Sequence, residues 1–304
     1  MTNQSRAGMQ ERIPKIVYQL HIQSENEQGL NLIRAVLLNL DYAENDLVNS
    51  SLINKPAVEL FSEQETKLEG IKKLFGRLKL PGIKVQKRRL LPKDWLTLWK
   101  AQWKPSALTK KLDVVPVWCQ NKYKVRRGRD HILMDTLLSF GTGLHETTQF
   151  MAQFIEDTQG KFKSFLDIGT GTGILALVAL KYGARDVMAI DIGQLSIQAA
   201  HDNMKANQMY FKVARADIKK YRPKKAYDFV AANLITEDLI ANAQGIIGSV
   251  KEGGLLAVSG ISLDNLNKLR REFSVLPLKV IKISKGTQWS GILYQKTAEF
   301  LIKH

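Results

Sequence analysis

The sequence predicts a two-part α/β protein in which a doubly wound, mainly parallel sheet follows a smaller α+β unit. Two apolar runs, residues 165–166 and 174–180, flank a glycine-rich turn, which is the order of a strand, a tight loop and a helix. A third apolar run ends at Asp191, about 20 residues after the turn, where the second strand of such a sheet ends. Before residue 90, strand-like and helix-like patterns follow a different order. The 304 residues are enough for two domains, each with its own core.

The turn itself reads Leu-Asp-Ile-Gly-Thr-Gly-Thr-Gly over residues 166–173 and favours a nucleotide-type cofactor site. Glycines let the backbone approach a ligand, and Asp191 lies where a carboxylate can accept hydrogen bonds from both hydroxyls of a ribose. Ile174 takes the position that a dinucleotide fingerprint fills with Gly or Ala, which disfavours NAD. Asp167, before the first glycine, is typical of S-adenosylmethionine-dependent methyltransferases of the Rossmann-like class. A turn that only joins a strand to a helix is the alternative without a ligand.

Residue usage excludes several classes of function. Cys119 is the only cysteine, so the sequence indicates neither a disulfide framework nor a thiolate metal cluster. The first six residues are polar, and the longest apolar run, residues 174–180, is far shorter than the roughly 20 residues that span a bilayer. We therefore expect a cytoplasmic protein that has no membrane anchor and no metal site.

The formal net charge of +16 indicates a polyanionic neighbourhood such as RNA or the ribosome. The cations concentrate in three clusters: Lys84, Lys87, Arg88 and Arg89; Lys122, Lys124, Arg126, Arg127 and Arg129; and Lys219, Lys220, Arg222, Lys224 and Lys225. Each cluster alone is typical of a solvated face. Their sum produces a field that attracts nucleic acid at low salt.

Residues 1–90 predict a ferredoxin-like α+β domain with the order β-α-β-β-α-β. Four strand-like runs cover residues 16–22, 47–53, 57–61 and 83–91. Two helices are predicted to begin at capping boxes, in which a serine accepts from a backbone N–H and a glutamate reaches back: Ser24-x-x-Glu27 and Ser62-x-x-Glu65. This part contains no cluster of catalytic side chains, which indicates a domain that recognises the substrate.

A linker helix is predicted over residues 91–108, before a catalytic domain at residues 109–304. It carries Trp95, Trp99 and Trp103, which share one helix face at four-residue spacing. Packing against a domain is the ordinary use of such a stripe, and a stacking platform for bases is the alternative.

Two further segments supply candidate site residues. Residues 139–148 read Ser-Phe-Gly-Thr-Gly-Leu-His-Glu-Thr-Thr and precede a helix, so Gly141 and Gly143 can fold the loop over a ligand while Thr148 offers a hydroxyl to the cofactor. His145 is expected to cap or pack rather than bind a metal, since no second ligand stands at the required spacing. A buried strand ends at Asn233, and ligands sit at the carboxyl ends of such strands. An Asn offers acceptors without acid or base, which suits an amine held in line with a sulfonium methyl group.

The chain is similar to the ribosomal protein L11 methyltransferases, the PrmA type, through five motifs in the same order: Phe140-Gly141-Thr142-Gly143-x-His145-x-Thr147-Thr148, Asp167-x-Gly169-x-Gly171-x-Gly173-Ile174-Leu175-Ala176, Ala189-Ile190-Asp191-Ile192, Ala232-Asn233-Leu234 and Ser259-Gly260-Ile261. Lys93-Asp94-Trp95 resembles the linker helix of that family, and the ferredoxin-like domain resembles its substrate-binding domain. The resemblance implies a class I methyltransferase sheet and S-adenosylmethionine as the cofactor. It also implies that the acceptors are lysine side-chain amines and the N-terminal amine of ribosomal protein L11, free or on the ribosome.

The residues and the resemblance together give one set of candidates for the cofactor site: Gly141, Thr142, Gly143, Thr148, Asp167, Gly169, Gly171, Asp191 and Asn233. Asn233 is also the candidate catalytic residue. A monomer is expected, and the basic surface suggests contact with ribosomal RNA. The chain departs from the family at Leu144 and Glu146, where threonine and proline are usual, and at Asp135-Thr136-Leu137, where Asp-Pro-Gly is expected.

Two other functions compete with protein methylation. An RNA methyltransferase recruited through the basic surface is one, but enzymes that methylate base nitrogens often follow the motif asparagine with Pro-Pro and an aromatic residue. Here Leu234-Ile235-Thr236 follows, which favours an amine substrate. A non-catalytic protein that retains the cofactor fold is the other, and the presence of Asp167, Asp191 and Asn233 argues against it.

Overall fold

A computed structural model gives the fold of the chain and describes residues 17–38, 40, 48–50, 56–62, 64–90, 100, 103–135, 143 and 145–298. Its contacts divide the chain into two compact units, residues 1–103 and 104–304. Within the described ranges, every helix is too short or too polar to cross a membrane.

In the part of the N-terminal unit that the structure describes, two helices accompany a four-stranded antiparallel sheet. Its elements are β1 Val17–Ser24, α1 Glu27–Leu38, β2 Val48–Ser50, β3 Ala57–Ser62, α2 Glu65–Leu78 and β4 Ile83–Leu90. The strand order is β2-β3-β1-β4, so the predicted ferredoxin-like arrangement is confirmed. Alternate residues of β1 and β3, including Leu20, Ile22 and Leu60, are buried against Ile33 and Leu68 of the helices.

The two predicted capping boxes are wrong. Ser24 and Ser62 still belong to strands, where they pair across the sheet, and each accepts only from the backbone N–H two residues on. The first helix is capped instead by Asn26, whose Oδ1 accepts from the Gly29 N–H at 2.8 Å. Helix α2 follows Gln64, which makes no side-chain cap. Strand pairing therefore displaces both helix starts toward the C-terminus.

The C-terminal unit contains a seven-stranded mixed sheet and a separate three-stranded sheet. Its elements are β5 Ser106–Ala107, β6 Leu112–Pro116, a 3₁₀ helix Val117–Lys122, β7 Asp130–Met134, α3 Glu146–Asp157, β8 Ser164–Ile168, α4 Ile174–Lys181, β9 Asp186–Asp191, α5 Gln194–Asn207, β10 Lys212–Arg215, β11 Tyr227–Asn233, α6 Thr236–Ala241, α7 Ala243–Gly248, β12 Val250–Ser262, α8 Leu266–Phe273, β13 Leu278–Lys285 and β14 Trp289–Lys296.

The large sheet has the order β10-β9-β8-β11-β12-β14-β13, and β8 to β12 run parallel. The chain proceeds from β8 outward in one direction and then from β11 outward in the other, so the order reverses between these two neighbours. That reversal opens a crevice at their carboxyl ends, where doubly wound sheets bind ligands. Phe165 and Phe229 stack between β8 and β11 with 5.1 Å between ring centroids, and burial of each ring stabilises the fold by about 2–3 kcal/mol.

The predicted linker helix is only partly within the described residues. Residues 91–99, 101 and 102 fall outside them, as do Trp95 and Trp99, whereas Trp103 is buried. Ser106 and Ala107 form β5 and pair with β6, so the end of the predicted linker is a strand rather than a helix.

Two cations of one of the three basic clusters bind a buried carboxylate within the three-stranded sheet. The Asp113 carboxylate on β6 is fully buried and accepts hydrogen bonds from Arg126, Arg129 and Tyr123. Burial alone would raise the pKa of Asp113, but these bonds outweigh it and lower the pKa to about 2. Two cations of residues 122–129 therefore stabilise the fold instead of standing free on its surface.

Two asparagines of α5 bind the backbone of β7. Asn207 donates to the Leu133 carbonyl at 2.7 Å and accepts from the Leu133 N–H at 2.8 Å. Asn203 bonds Asp135 in the same way, at 3.1 and 2.7 Å, and its amide also donates to the Thr172 carbonyl at 3.0 Å. The buried Asn203 thus joins the residue that precedes the 136–142 segment to the glycine-rich turn.

Candidate functional site

The glycine-rich turn is a tight loop between β8 and α4. Gly169, Gly171 and Gly173 have φ values of +73°, +53° and +79°, a region that L-residues with a side chain rarely adopt. The N–H groups of Gly169 and Thr170 both donate to the Ile190 carbonyl, at 2.9 and 3.0 Å. These backbone bonds fasten the loop to the end of β9.

Asp191 stands at the end of β9 with both carboxylate oxygens oriented by backbone donors. Oδ2 accepts from the Gly171 N–H at 2.9 Å, and Oδ1 accepts from the Gly193 N–H at 2.8 Å. Each oxygen of a carboxylate can accept a second hydrogen bond. The half-buried group therefore keeps the capacity to accept from two vicinal hydroxyls, as the sequence predicts for a ribose.

Two buried polar atoms in this region have no partner among the described residues: Asp167 Oδ1 and Thr148 Oγ1. Both side chains are only 1% exposed. The other oxygen of Asp167 accepts from the Thr170 hydroxyl at 2.6 Å. Burial raises the pKa of Asp167 to about 7, although the hydrogen bond from Thr170 opposes the rise. Buried atoms without partners cost free energy, and a ligand that supplies the partners would recover it.

On the other side of the crevice, Asn233 at the end of β11 begins a chain of side-chain hydrogen bonds. Its Nδ2 donates to Thr147 Oγ1 at 3.3 Å, and Thr147 Oγ1 lies 2.6 Å from His145 Nδ1. His145 caps α3, because Nδ1 accepts from the Thr147 N–H at 3.3 Å. Burial lowers the pKa of His145 against the opposing charge of Glu146, so the ring is neutral and Nδ1 accepts. The Thr147 hydroxyl then donates to His145, accepts from Asn233 and leaves Asn233 Oδ1 for a substrate donor.

Gly260 fixes the backbone that follows Asn233. It has φ +85° at an irregularity where β12 pairs with β14, and a Cβ there would overlap the Leu234 carbonyl. The Leu234 N–H also donates to the Ser259 carbonyl at 3.1 Å. The Ser-Gly-Ile motif therefore holds the Asn233-Leu234 turn by close backbone packing.

Glu146, which stands where the family usually has proline, fastens α3 to the turn between β13 and β14. Its carboxylate accepts from the Thr287 N–H and hydroxyl at 2.9 and 2.8 Å, and from the N–H groups of Gln288 and Trp289 at 3.4 Å. Burial would raise the pKa of Glu146, and these bonds lower it instead. The Trp289 ring meets His145 edge-on, with 5.3 Å between centroids. This contact extends the acceptor side of the crevice to β14.

The predicted residues fall into three groups. The first group lies at strand ends, in the glycine-rich turn or at the start of α3, and its members come together at one edge of the sheet: Asp167, Gly169, Gly171, Asp191, Asn233 and Thr148. Gly143 has φ +80° and packs against Val114 and Ile174. Gly141 and Thr142 lie outside the described residues.

Sequence reasoning missed Thr147, Glu146 and Gly260 as site-forming residues. Thr147 and Thr148 both stand in the first turn of α3, so their hydroxyls could not be distinguished by spacing. The replacement of proline by Glu146 was the one visible signal of its contact. Gly260 was visible only as part of the family motif.

Comparisons with known proteins agree with this geometry. The family model described as "Ribosomal protein L11 methyltransferase (PrmA)" matches residues 13–297. A ribosomal protein L11 methyltransferase of Alkaliphilus oremlandii is 29% identical over 272 residues, covering 85% of this chain and 86% of that protein. One from Lactococcus lactis subsp. cremoris is 32% identical over 246 residues, with 80% and 76% covered.

A solved structure supports the same grouping. The ribosomal protein L11 methylase of Lactobacillus delbrueckii subsp. bulgaricus superposes with a TM-score of 0.60 at 27% identity, over 64% of this chain and 100% of that chain. The match of the family model to nearly the whole sequence, together with these relatives, shows that the chain belongs to the ribosomal protein L11 methyltransferase (PrmA) family.

Proposed function

We propose that this chain transfers methyl groups from S-adenosylmethionine to amines of ribosomal protein L11, both lysine side chains and the N-terminal amine. The observation that carries this proposal is the placement of two groups at the carboxyl ends of β9 and β11, the strands on either side of β8. Asp191 is oriented for ribose hydroxyls on β9, and Asn233 presents a free acceptor oxygen on β11. Membership of the family supports both the reaction and the substrate.

The residues present suit this cofactor. When bound, S-adenosylmethionine supplies an electrophilic methyl group on a sulfonium. Asp191 would accept from the ribose hydroxyls, while Gly169 and Gly171 let the backbone lie close to the ligand. The unpartnered Asp167 Oδ1 and Thr148 Oγ1 are an acceptor and a donor that the ammonium and carboxylate groups of a methionine end would satisfy. We propose Gly141, Thr142 and Gly143 as the loop that covers it.

On the acceptor side, Asn233 Oδ1 would accept a hydrogen bond from an N–H of the substrate amine. This bond would orient the amine so that the nitrogen lone pair points at the methyl carbon. A lysine must first lose a proton from an ordinary pKa of about 10.4, so the rate should rise with pH. Thr147 and His145 hold the Asn233 amide in the required rotamer. These residues contribute position and exclusion of water rather than acid or base chemistry.

We assign substrate recognition to the N-terminal unit and chemistry to the C-terminal unit. The N-terminal unit has its own core and its described residues contain none of the crevice groups. Deleting residues 1–103 should leave cofactor binding intact and abolish methylation of ribosomal protein L11. If the remaining C-terminal unit methylated the protein as fast as the whole chain, this assignment would be wrong. We also propose a cytoplasmic location, which a ribosomal protein substrate would require.

The direct test is transfer of a labelled methyl group from S-adenosylmethionine to purified ribosomal protein L11, with protein-free ribosomal RNA as the competing substrate. We expect label in lysine and N-terminal positions of the protein and none in the RNA. Label in RNA bases alone would favour the RNA methyltransferase hypothesis. Absence of label in both, with the cofactor bound, would favour a non-catalytic protein.

A further inference from the structure

The N-terminal unit carries a surface of a single charge sign on α2 and β4. Residues 70–90 contain eight cations and no acidic residue. Seven of these cations are exposed, and we call them together the α2–β4 cationic surface: Lys72, Lys73, Arg77, Lys79, Lys84, Arg88 and Arg89. Because successive residues of a strand alternate between faces, Lys84 and Arg88 lie on the face of β4 opposite α2, whereas Lys87 faces the helix. The sequence cluster at residues 84–89 is one part of it.

Both acidic residues of α2 are already engaged. Lys87, the eighth cation, donates to Glu65 at 2.8 Å and to Glu69. Among the described residues, no carboxylate lies within ion-pair distance of the seven cations of the α2–β4 surface. The side chains of all seven are exposed to solvent.

The other two clusters are reduced by contacts within the C-terminal unit. Arg126 and Arg129 bind the buried Asp113. Lys225 pairs with Asp186, and Arg222 donates to the backbone carbonyls of Lys219 and Tyr221. Each of the other two clusters thus contains at least one cation that is paired with a carboxylate, whereas none of the seven cations of the α2–β4 surface is so paired among the described residues.

Helix α2 combines like charges and a glycine on this face. Lys73 and Arg77 are like charges four residues apart, an arrangement that destabilises an isolated helix. Gly76 lies beside them in the last turns, one turn after Lys72, and a Cβ there would meet nothing within 4 Å. Glycine also weakens an exposed helix. Favourable charge at the helix C-terminus accounts for Arg77, and Glu69, three and four residues before Lys72 and Lys73, attracts both lysines.

We propose that the α2–β4 cationic surface binds the phosphate backbone of RNA, with Gly76 as the point of closest approach. A phosphate above Gly76 would lie within reach of Lys72, Lys73 and Arg77, and it would remove the repulsion among them. Lysine is depleted in the centres of protein–protein interfaces, whereas lysine and arginine supply most phosphate contacts. This inference does not depend on the methyl acceptor, because RNA binding is measured without turnover.

The test measures binding of the full chain to an RNA duplex of about two helical turns as a function of salt, by fluorescence anisotropy. The variant Lys72→Gln/Lys73→Gln/Arg77→Gln should lower the slope of log K against log salt by about 2–3 and weaken binding at low salt about tenfold or more. The matched control Lys219→Gln/Lys220→Gln/Lys224→Gln removes the same charge from the C-terminal unit and should change the slope by less than about one.

A second variant distinguishes close contact of RNA with Gly76 from a general effect of positive charge. Gly76→Gln keeps the net charge and should raise the melting temperature, because no atom of the chain obstructs a side chain there, yet it should weaken RNA binding several-fold. Equal losses for the two triple variants, or unchanged RNA binding in Gly76→Gln, would overturn the proposal. Tighter binding of a polyglutamate peptide than of the duplex would also overturn it, in favour of an acidic protein partner.

Discussion

The two sides of the crevice are built by different means. On the cofactor side, backbone groups do the positioning: the N–H groups of Gly169, Thr170 and Gly171 bind the end of β9 and Asp191. On the acceptor side, Asn233, Thr147 and other side chains form a relay of hydrogen bonds. A backbone-built site depends on glycines at fixed spacing, whereas a side-chain relay can be lost through one substitution.

This difference means that variants should separate binding from turnover. Changes on the cofactor side should raise the cofactor Kd and leave kcat at saturation nearly intact. Changes on the acceptor side should lower kcat and leave the cofactor Kd nearly intact.

Asn233→Ala should lower kcat by about 10²–10³ while changing the cofactor Kd less than about tenfold, because it removes a positioning contact to the amine. Methyl-transfer assays at saturating ribosomal protein L11 and calorimetry with S-adenosylmethionine measure the two quantities. Near-normal turnover would contradict the role given to Asn233. An equally large loss of cofactor binding would place Asn233 on the cofactor side.

Asp191→Ala should weaken cofactor binding by about 2–3 kcal/mol, or roughly 30–150-fold, because hydrogen bonds to a charged group are lost. Turnover at saturating cofactor should fall much less. Asp186→Ala is a matched control on the same strand: its carboxylate pairs with Lys225 on the surface, so cofactor affinity should not change. Unchanged affinity in a folded Asp191→Ala variant would remove the ribose assignment.

The adjacent threonines offer the sharpest comparison of the two sides. Thr147→Val preserves shape but breaks the link between Asn233 and His145, and should lower kcat by about tenfold at unchanged cofactor Kd. Thr148→Val should instead raise the cofactor Kd several-fold with kcat nearly constant. Thr147→Ser should behave as the parent. If both valine variants changed the same constant, the division into two sides would fail.

Asp167 should alter stability with pH while hardly affecting turnover at saturation. Its pKa is about 7 in the folded protein and near 3.8 in the unfolded chain, so between these values the unfolded state has released a proton that the folded state retains. Stability therefore falls as pH rises through this window, by at most about 1.4 kcal/mol per pH unit. The melting temperature of the parent protein should therefore fall between about pH 4 and 7 relative to that of Asp167→Asn. Saturating cofactor should make this difference smaller. Parallel profiles would exclude a raised pKa.

The cofactor side was predictable from sequence because its requirements are local. Positive φ at Gly169, Gly171 and Gly173 needs glycine, and the distance from there to Asp191 follows from one strand-helix-strand unit. The order of elements in the N-terminal unit was predictable for the same reason, since alternation and helical periodicity are local patterns.

What the sequence could not predict depends on contacts between distant residues. Glu146 binds Thr287 across 141 positions, and no spacing rule connects them. Asp113 neutralises Arg126 and Arg129 only because β6 and β7 pair side by side. The prediction of two capping boxes was wrong because Ser24 and Ser62 match the local sequence motif but are held in strands by pairing across the sheet.

The asparagine pair on α5 has a consequence for the exposed side of β7. Four residues of helix rise about 6 Å, and two residues of strand rise about 6.6 Å. Asn203 and Asn207 can therefore match Leu133 and Asp135 as a neighbouring strand would, each offering one donor and one acceptor. An unpaired strand edge can form backbone hydrogen bonds with a strand of another chain. Here the side-chain amides of Asn203 and Asn207 already bond these backbone groups, and we expect them to protect this edge from self-association.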